Sequence, residues 1–191
     1  MVPQIVAGVG FYDGKQAFST KAGVALFIPG ALLALATTVG GGFVEPDEGA
    51  VALTLLGGPL WSMAGVGLGR IISASPHAPW LGGSMGLSSF ALIHGIMAQS
   101  GLADYRPTAI IQSLYAIAGG TGCVIDAAYS GGVERSVGIG CGVVSGLAAV
   151  HGIVRASLGT VSGRPKLAKK ALAPAPWITH EITGVTLAGT F

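Results

Sequence analysis

Charge is scarce in this sequence. Its 191 residues include 10 Lys and Arg and 8 Asp and Glu, 9% together, where roughly a quarter of an ordinary soluble domain is charged. That argues against a self-contained soluble enzyme. Aromatic residues make up 7% and the net charge is +2, so the chain has neither the basic surface nor the stacking platform that binds nucleic acid. Cysteine is limited to Cys123 and Cys141. Both lie in apolar stretches without a CxxC spacing or a neighbouring His, which argues against a zinc or other metal site and reads them as small buried hydrophobes. Arg is absent before Arg70, unlike an Arg-rich transit peptide, and Lys15 follows the first short apolar run, whereas a secretory signal puts its positive charge first. Catalytic signatures are missing as well. No Ser/His/Asp arrangement or P-loop occurs, and Gly119-Gly120-Thr121-Gly122 sits inside an apolar run rather than between a strand and a helix. No catalytic residues are expected.

What the chain has instead is apolar length: 51% of its residues are hydrophobic and its mean hydropathy is +0.70. Five stretches, Ala22–Val44, Gly49–Gly69, Ile71–Ala103, Pro107–Ile125 and Ser136–Val154, contain no Asp, Glu, Lys or Arg, and a membrane span needs about 20 mostly apolar residues. The pattern predicts an all-α, polytopic transmembrane bundle with four or five Gly-rich segments. The spans are placed at Thr20–Gly42, with Pro29 inside it, then Gly49–Gly69, Trp80–Gln99, Thr108–Tyr129 and Ser136–Ala156. Residues 1–19 form an N-terminal segment, 20–158 the transmembrane domain and 159–191 a basic, Pro-containing soluble tail, read as extended. The acidic run Glu45-Pro46-Asp47-Glu48 is expected to break the chain between the first two spans, and Ser130-Gly131-Gly132 to turn it between the last two.

Positive charge tests the topology, because cytoplasmic-type loops collect Lys and Arg. If the third segment, the most polar with Ser84, Ser88, Ser89 and His94, stops short of crossing, only Arg135 lies opposite the other nine. If all five cross, Lys15, Lys21, Arg70 and Arg135 face six others. The rule therefore favours four full crossings.

Glycine is the residue in excess, 33 of 191. Between membrane helices it lets backbones approach closely, so that packing and Cα–H···O contacts replace the missing hydrophobic drive. Here it recurs at four-residue spacing in Gly65 and Gly69, Gly82 and Gly86, and Gly138, Gly142 and Gly146. These are the candidate helix-packing residues. Spacing does not decide whether the packed neighbour is in this chain or in a partner. His94 and His151 are the histidines inside spans. An imidazole there reads either as hydrogen-bonded to a neighbouring helix or as an axial ligand to b-type haem, which would need the two rings to face each other. Asp126 and Gln112 read as interfacial polar groups near span ends. Arg164, Lys166, Lys169 and Lys170 read equally as solvated charges or as contacts to an anionic leaflet, which would attract them at about 1 kcal/mol each.

Two stretches point to a family. Phe11-Tyr12-Asp13-Gly14-Lys15-Gln16-Ala17-Phe18-Ser19-Thr20, just before a small-residue span, resembles the N-terminal region of the complex I accessory member of the Gly-rich superfamily of mitochondrial inner-membrane translocase components. Ala78-Pro79-Trp80-Leu81-Gly82-Gly83-Ser84-Met85-Gly86-Leu87 is similar to that family's third span. The resemblance covers residues 11–130. It does not extend to the fifth segment or the tail, and Phe90-Ala91-Leu92-Ile93-His94-Gly95 stands where the import members carry a positively charged signature. The resemblance implies a non-catalytic accessory subunit, without a cofactor, that packs against other membrane subunits and phospholipids in a mitochondrial respiratory complex. The alternatives are an inner-membrane translocase or channel component, and a haem-binding electron-transfer subunit.

Overall fold

The computed structural model describes residues 19–43, 47–102, 106–158, 173–178 and 183–188. The first three ranges form five helices: α1 (Thr20–Phe43), α2 (Asp47–Ile72), α3 (Ala78–Gln99), α4 (Arg106–Tyr129) and α5 (Gly132–Leu158). Each is long and apolar enough to cross a membrane. The shortest, α3 with 22 residues, spans about 33 Å at 1.5 Å per residue against a hydrocarbon core of about 30 Å. The four-crossing topology, favoured by positive charge, requires the third segment to stop short of crossing; its helix has the length and apolarity that a crossing needs.

Local chemistry sets the helix ends. Ser19 opens α1 by accepting the Ala22 N–H on its Oγ at 3.3 Å, as N-cap residues do. Asp47 and Glu48, expected in a helix-breaking loop, begin α2, and the Glu48 carboxylate suits the positive end of the helix dipole. Pro79 stands in the first turn of α3, where its missing N–H costs nothing. At the other end of α3, Gly101 adopts φ +81°, Leu102 N–H bonds the Met97 carbonyl and Gly101 N–H bonds that of Ala98, each at 3.0 Å. This closing motif requires a left-handed residue, which glycine supplies without a Cβ clash. Gly132, at φ +54°, serves the tight turn into α5.

Neighbouring helices run antiparallel, each packing on the next, and α5 also reaches α3. Burial follows this order: 61% of the apolar stretch of α3 is buried, against 22% of α1. The most polar segment is thus the innermost. Its Phe90 lies edge-on to Tyr115 of α4, with ring centroids 5.5 Å apart. Side chains at Gly57 or Gly58 of α2 would strike these two rings. Tyr115 closes the arrangement by donating its hydroxyl to the Leu55 carbonyl at 2.6 Å.

The distribution of residue types is inverted relative to a water-soluble domain. Small and polar residues fill the interior, including Thr54, Ser62, Ser84, Ser88, Gln112, Ser145 and Arg155, while Leu32, Leu35, Leu56, Ile96, Leu114, Ile139, Val143, Leu147 and Ile153 face outward. Water would penalise such a surface, since soluble monomers rarely expose contiguous apolar patches beyond a few hundred Å².

The tail forms a separate unit from Ser162 onward. Expected as extended chain, it contains an antiparallel hairpin of β1 (Ala173–Ile178) and β2 (Thr183–Ala188), with Ala173 opposite Ala188. Pro174 and Pro176 are accommodated because each strand of a two-stranded ribbon has a free edge.

Candidate functional site

Three features organise the helical unit: glycine seams, a covalent link between its last two helices, and polar clusters at its two ends. The tightest seam joins α2 and α3. A Cβ on Gly65 would collide with the Gly82 carbonyl, one on Gly82 with the Gly65 carbonyl, one on Gly69 with that of Ala78, and one on Gly86 with that of Trp61. The two GxxxG pairs therefore mesh with each other inside the chain, and the neighbour that spacing left open is intramolecular. A second seam, α1 against α2, places Gly30 beside the Ala64 backbone and Gly67 beside Gly23 and Phe27. Four-residue spacing did not reveal it, although the seven-residue interval from Gly23 to Gly30 is the signal that would have. Trp61 spans this seam, donating its indole N–H to Thr38 Oγ1 at 2.9 Å. Replacement of Trp61 by Phe is expected to lower stability by about 1 kcal/mol, checked by thermal unfolding in mild detergent.

The triplet on α5 divides. Gly138 packs on the Cys123 carbonyl and Ala127, Gly142 meets only the tip of Val124 and the more distant Gly120 carbonyl, and Gly146 has nothing within 4 Å. The reason is helical pitch: each four-residue step turns about 40° beyond a full revolution, so Gly146 lies about 80° off the line of Gly138. The face that meets α4 and α3 continues through buried Ser145, Ala148, Ala149, Gly152 and Arg155.

Close approach of α4 and α5 brings the Cys123 and Cys141 Cα atoms to 5.9 Å, and the two sulfurs form a disulfide. The separation falls within the range such a bond requires. Reading these residues as independent buried hydrophobes is corrected by this pairing, since the turn at Ser130-Gly131 folds two distant positions onto one another. Ser88 and Ser145 line it, with Ser145 Oγ donating to Ser88 Oγ at 2.6 Å and Ser88 Oγ 3.4 Å from Cys141 Sγ. Replacing both cysteines by Ala is expected to cost about 3 kcal/mol, the amount associated with closing a loop of this order. Reductant should lower the wild-type melting temperature and leave that of the double variant unchanged.

One end of the bundle is built around Arg155, whose side chain is 1% exposed. Its Nη1 donates to Gln112 Oε1 at 2.7 Å, a charge-assisted bond that a guanidinium removed from water requires. This bond fixes the Gln112 amide, so its Nε2 faces the Ala148 carbonyl at 3.3 Å and His151 Nδ1 at 3.2 Å. The other ring nitrogen, Nε2, lies 2.6 Å from Gln99 Nε2. The chain Gln99, His151, Gln112, Arg155 thus runs from the surface to the interior and ties α3, α4 and α5 together. Gln112 is fully buried, inside the bundle rather than at its rim. In the sequence Arg155 stands at the end of the fifth span and enters only the count of positive charges. Its four-residue spacing from His151, on the face that continues Ser145 and Gly152, is the signal that marks it.

His94 belongs to a different contact. Thr54 donates its hydroxyl to the Ala50 carbonyl at 2.7 Å, so its oxygen accepts from His94 Nε2–H at 3.3 Å, and the ring lies against Phe90. A two-histidine haem site needs both rings turned to one centre. Here one is hydrogen-bonded to α2 and the other to the amides of Gln99 and Gln112. At the opposite end, Asp126 is buried with its Oδ1 3.9 Å from His77 Nδ1. Glu134, in the first turn of α5, accepts from Ser75 Oγ at 3.2 Å and Ser73 Oγ at 3.5 Å. Asp126 therefore sits near a helix end, as its position implies, yet within the bundle. Arg164, Lys166, Lys169 and Lys170 lie outside the described residues.

No protein-family model, no curated protein and no solved structure matches this chain.

Proposed function

We propose that this chain is a non-catalytic integral membrane subunit that packs against and stabilises a mitochondrial respiratory complex, with complex I as the assembly and phospholipids as the other partner. The observation that carries the membrane part of this reading is the inverted residue distribution: interior positions hold Gly, Ala, Ser, Gln and Arg, and outward positions hold Leu, Ile and Val. Such a surface is stable against lipid tails or against apolar faces of other helices. The resemblance of residues 11–130 supports the choice of complex.

The contact surface differs from the glycine faces that the sequence brought forward. Gly65, Gly69, Gly82 and Gly86 meet one another within the chain, so a partner would meet the outer faces of the edge helices, with Val24, Ile28, Leu32 and Val39 on α1 and Ile139, Val143, Leu147 and Val150 on α5.

The test is to tag the C-terminus, solubilise membranes in mild detergent and identify what co-migrates on a native gel by mass spectrometry. Co-migration with complex I subunits, and loss of the assembled complex on depletion, is the expected result. Co-migration with precursor-import components, or with no large assembly, would overturn it.

A further inference from the structure

We infer that the α4–α5 hairpin is the substrate of a disulfide carrier, a protein with a transferable Cys–Cys bond, in the compartment facing the Ser130-Gly131 turn. That end of the bundle then points to an oxidising side, and Leu158, where the chain leaves α5, to the opposite one. The inference rests on the membrane reading above.

Depth within the hairpin carries the argument. Cys123 precedes the end of α4 at Tyr129 by six residues, and Cys141 follows the start of α5 at Gly132 by nine, which puts them about 9 and 14 Å from the turn. From Arg106 to Cys123, and from Cys141 to Leu158, the interval is 17 residues, about 26 Å. The bond thus lies much nearer the turn than the other end. Thiol–disulfide exchange requires a thiolate in contact with the carrier, and a thiolate is not formed in hydrocarbon. In the packed bundle Cys123 is fully buried and Cys141 is lined by Ser88 and Ser145. Oxidation therefore takes place from the aqueous phase nearest the hairpin tip, before the seam closes.

The electrons balance in two exchanges. The thiolate of one cysteine attacks the carrier disulfide, forming a mixed disulfide and releasing one carrier thiol. The thiolate of the other then attacks the protein sulfur of that mixed disulfide and releases the second carrier thiol. Two protons leave the cysteines and two electrons reduce the carrier to its dithiol.

Charge is compatible with the same orientation. With five crossings, Arg106, Arg155, Arg164, Lys166, Lys169 and Lys170 fall on the Leu158 side and Lys15, Lys21, Arg70 and Arg135 on the turn side. Setting aside the buried Arg155 still leaves five against four, and Lys and Arg mark the cytoplasm-like side, where thiols are kept reduced.

A single construction reads both claims. A protease site is inserted between Ser130 and Gly131, where Gly131 has open space around it, in a C-terminally tagged chain. Sealed membrane vesicles of either orientation are treated with protease and quenched with N-ethylmaleimide. Cleavage is expected only from the side that holds disulfide carriers, with the two halves travelling together until reductant releases the tagged fragment. Cleavage only from the other side, cleavage from neither side while detergent-solubilised protein is cut, or halves that separate without reductant would each overturn the proposal. Release by carbonate with cutting in both vesicle types would instead defeat the membrane reading. A second insertion after Pro76, in the loop at the same end, must give the same sidedness.

Discussion

Replacing Gly82 by Leu is expected to cost at least about 3 kcal/mol, at the upper end of what overpacking does, and to leave little folded protein in detergent extracts. The cause is that the obstructing atoms are backbone: the Gly65 carbonyl group and the Gly69 Cα, at 3.2 Å from the added Cβ, stand where the side chain would begin. No rotamer change relieves such a clash, so α2 and α3 must separate, and with them the innermost contacts of the bundle. Gly82→Ala should fall between Leu and wild type, since one methyl is already enough to collide. Two controls on α5 make the prediction specific. Gly142→Leu meets chiefly the tip of Val124, which can rotate, and should cost about 1 kcal/mol. Gly146→Leu enters open space and should leave the melting temperature unchanged. Thermal unfolding followed by size-exclusion chromatography distinguishes the three. Equal losses at Gly82 and Gly146 would show that the seams lie elsewhere.

Replacing Gln112 by Leu is expected to destabilise the fold by about 3 kcal/mol, because it removes the oxygen bonded to a buried guanidinium and leaves that charge without this acceptor. His151 loses its hydrogen-bond donor in the same step. The second substitution Arg155→Met, made in the Gln112→Leu background, should restore most of the loss. It replaces a charge by an apolar chain of similar length, and apolar replacements of buried ionic groups are often neutral or stabilising. The coupling between the two positions, read from a double-mutant cycle, is the quantity to measure. Simple additivity would mean that Arg155 draws its stabilisation from elsewhere. Gln112→Glu offers a complementary check: a carboxylate keeps an acceptor for Arg155, so this variant should retain most of the stability that Gln112→Leu loses.

Much of the helical architecture was legible in the sequence. All five helices start and stop within about four residues of the spans placed from the sequence, because a span is recorded locally as consecutive apolar residues. The extensions were legible only in part. Glu48 reads as a loop residue for its charge, yet helix N-termini accept carboxylates. The GxxxG pairs at Gly65, Gly69, Gly82 and Gly86 stood out by spacing alone, whereas the α1–α2 seam, which follows a seven-residue interval, did not.

The polar network and the disulfide were not legible, for a common reason. His151, Gln112, Gln99 and Arg155 stand on three helices, and Cys123 and Cys141 on two, so neither set has a fixed spacing along the chain. A sequence records which residues share a face of one helix. It does not record how two faces are rotated and shifted against each other.

By itself, then, the sequence determined that the chain makes long apolar helices with closely packing small-residue faces, because hydrophobic runs and glycine spacing act within one element. Only the tertiary structure decided that the GxxxG pairs meet inside the chain, that Gly146 faces outward, that Arg155 is enclosed with Gln112, and that the two cysteines are joined. Those outcomes depend on the relative rotation of neighbouring helices, which is set where backbones can approach and where a buried donor finds its acceptor.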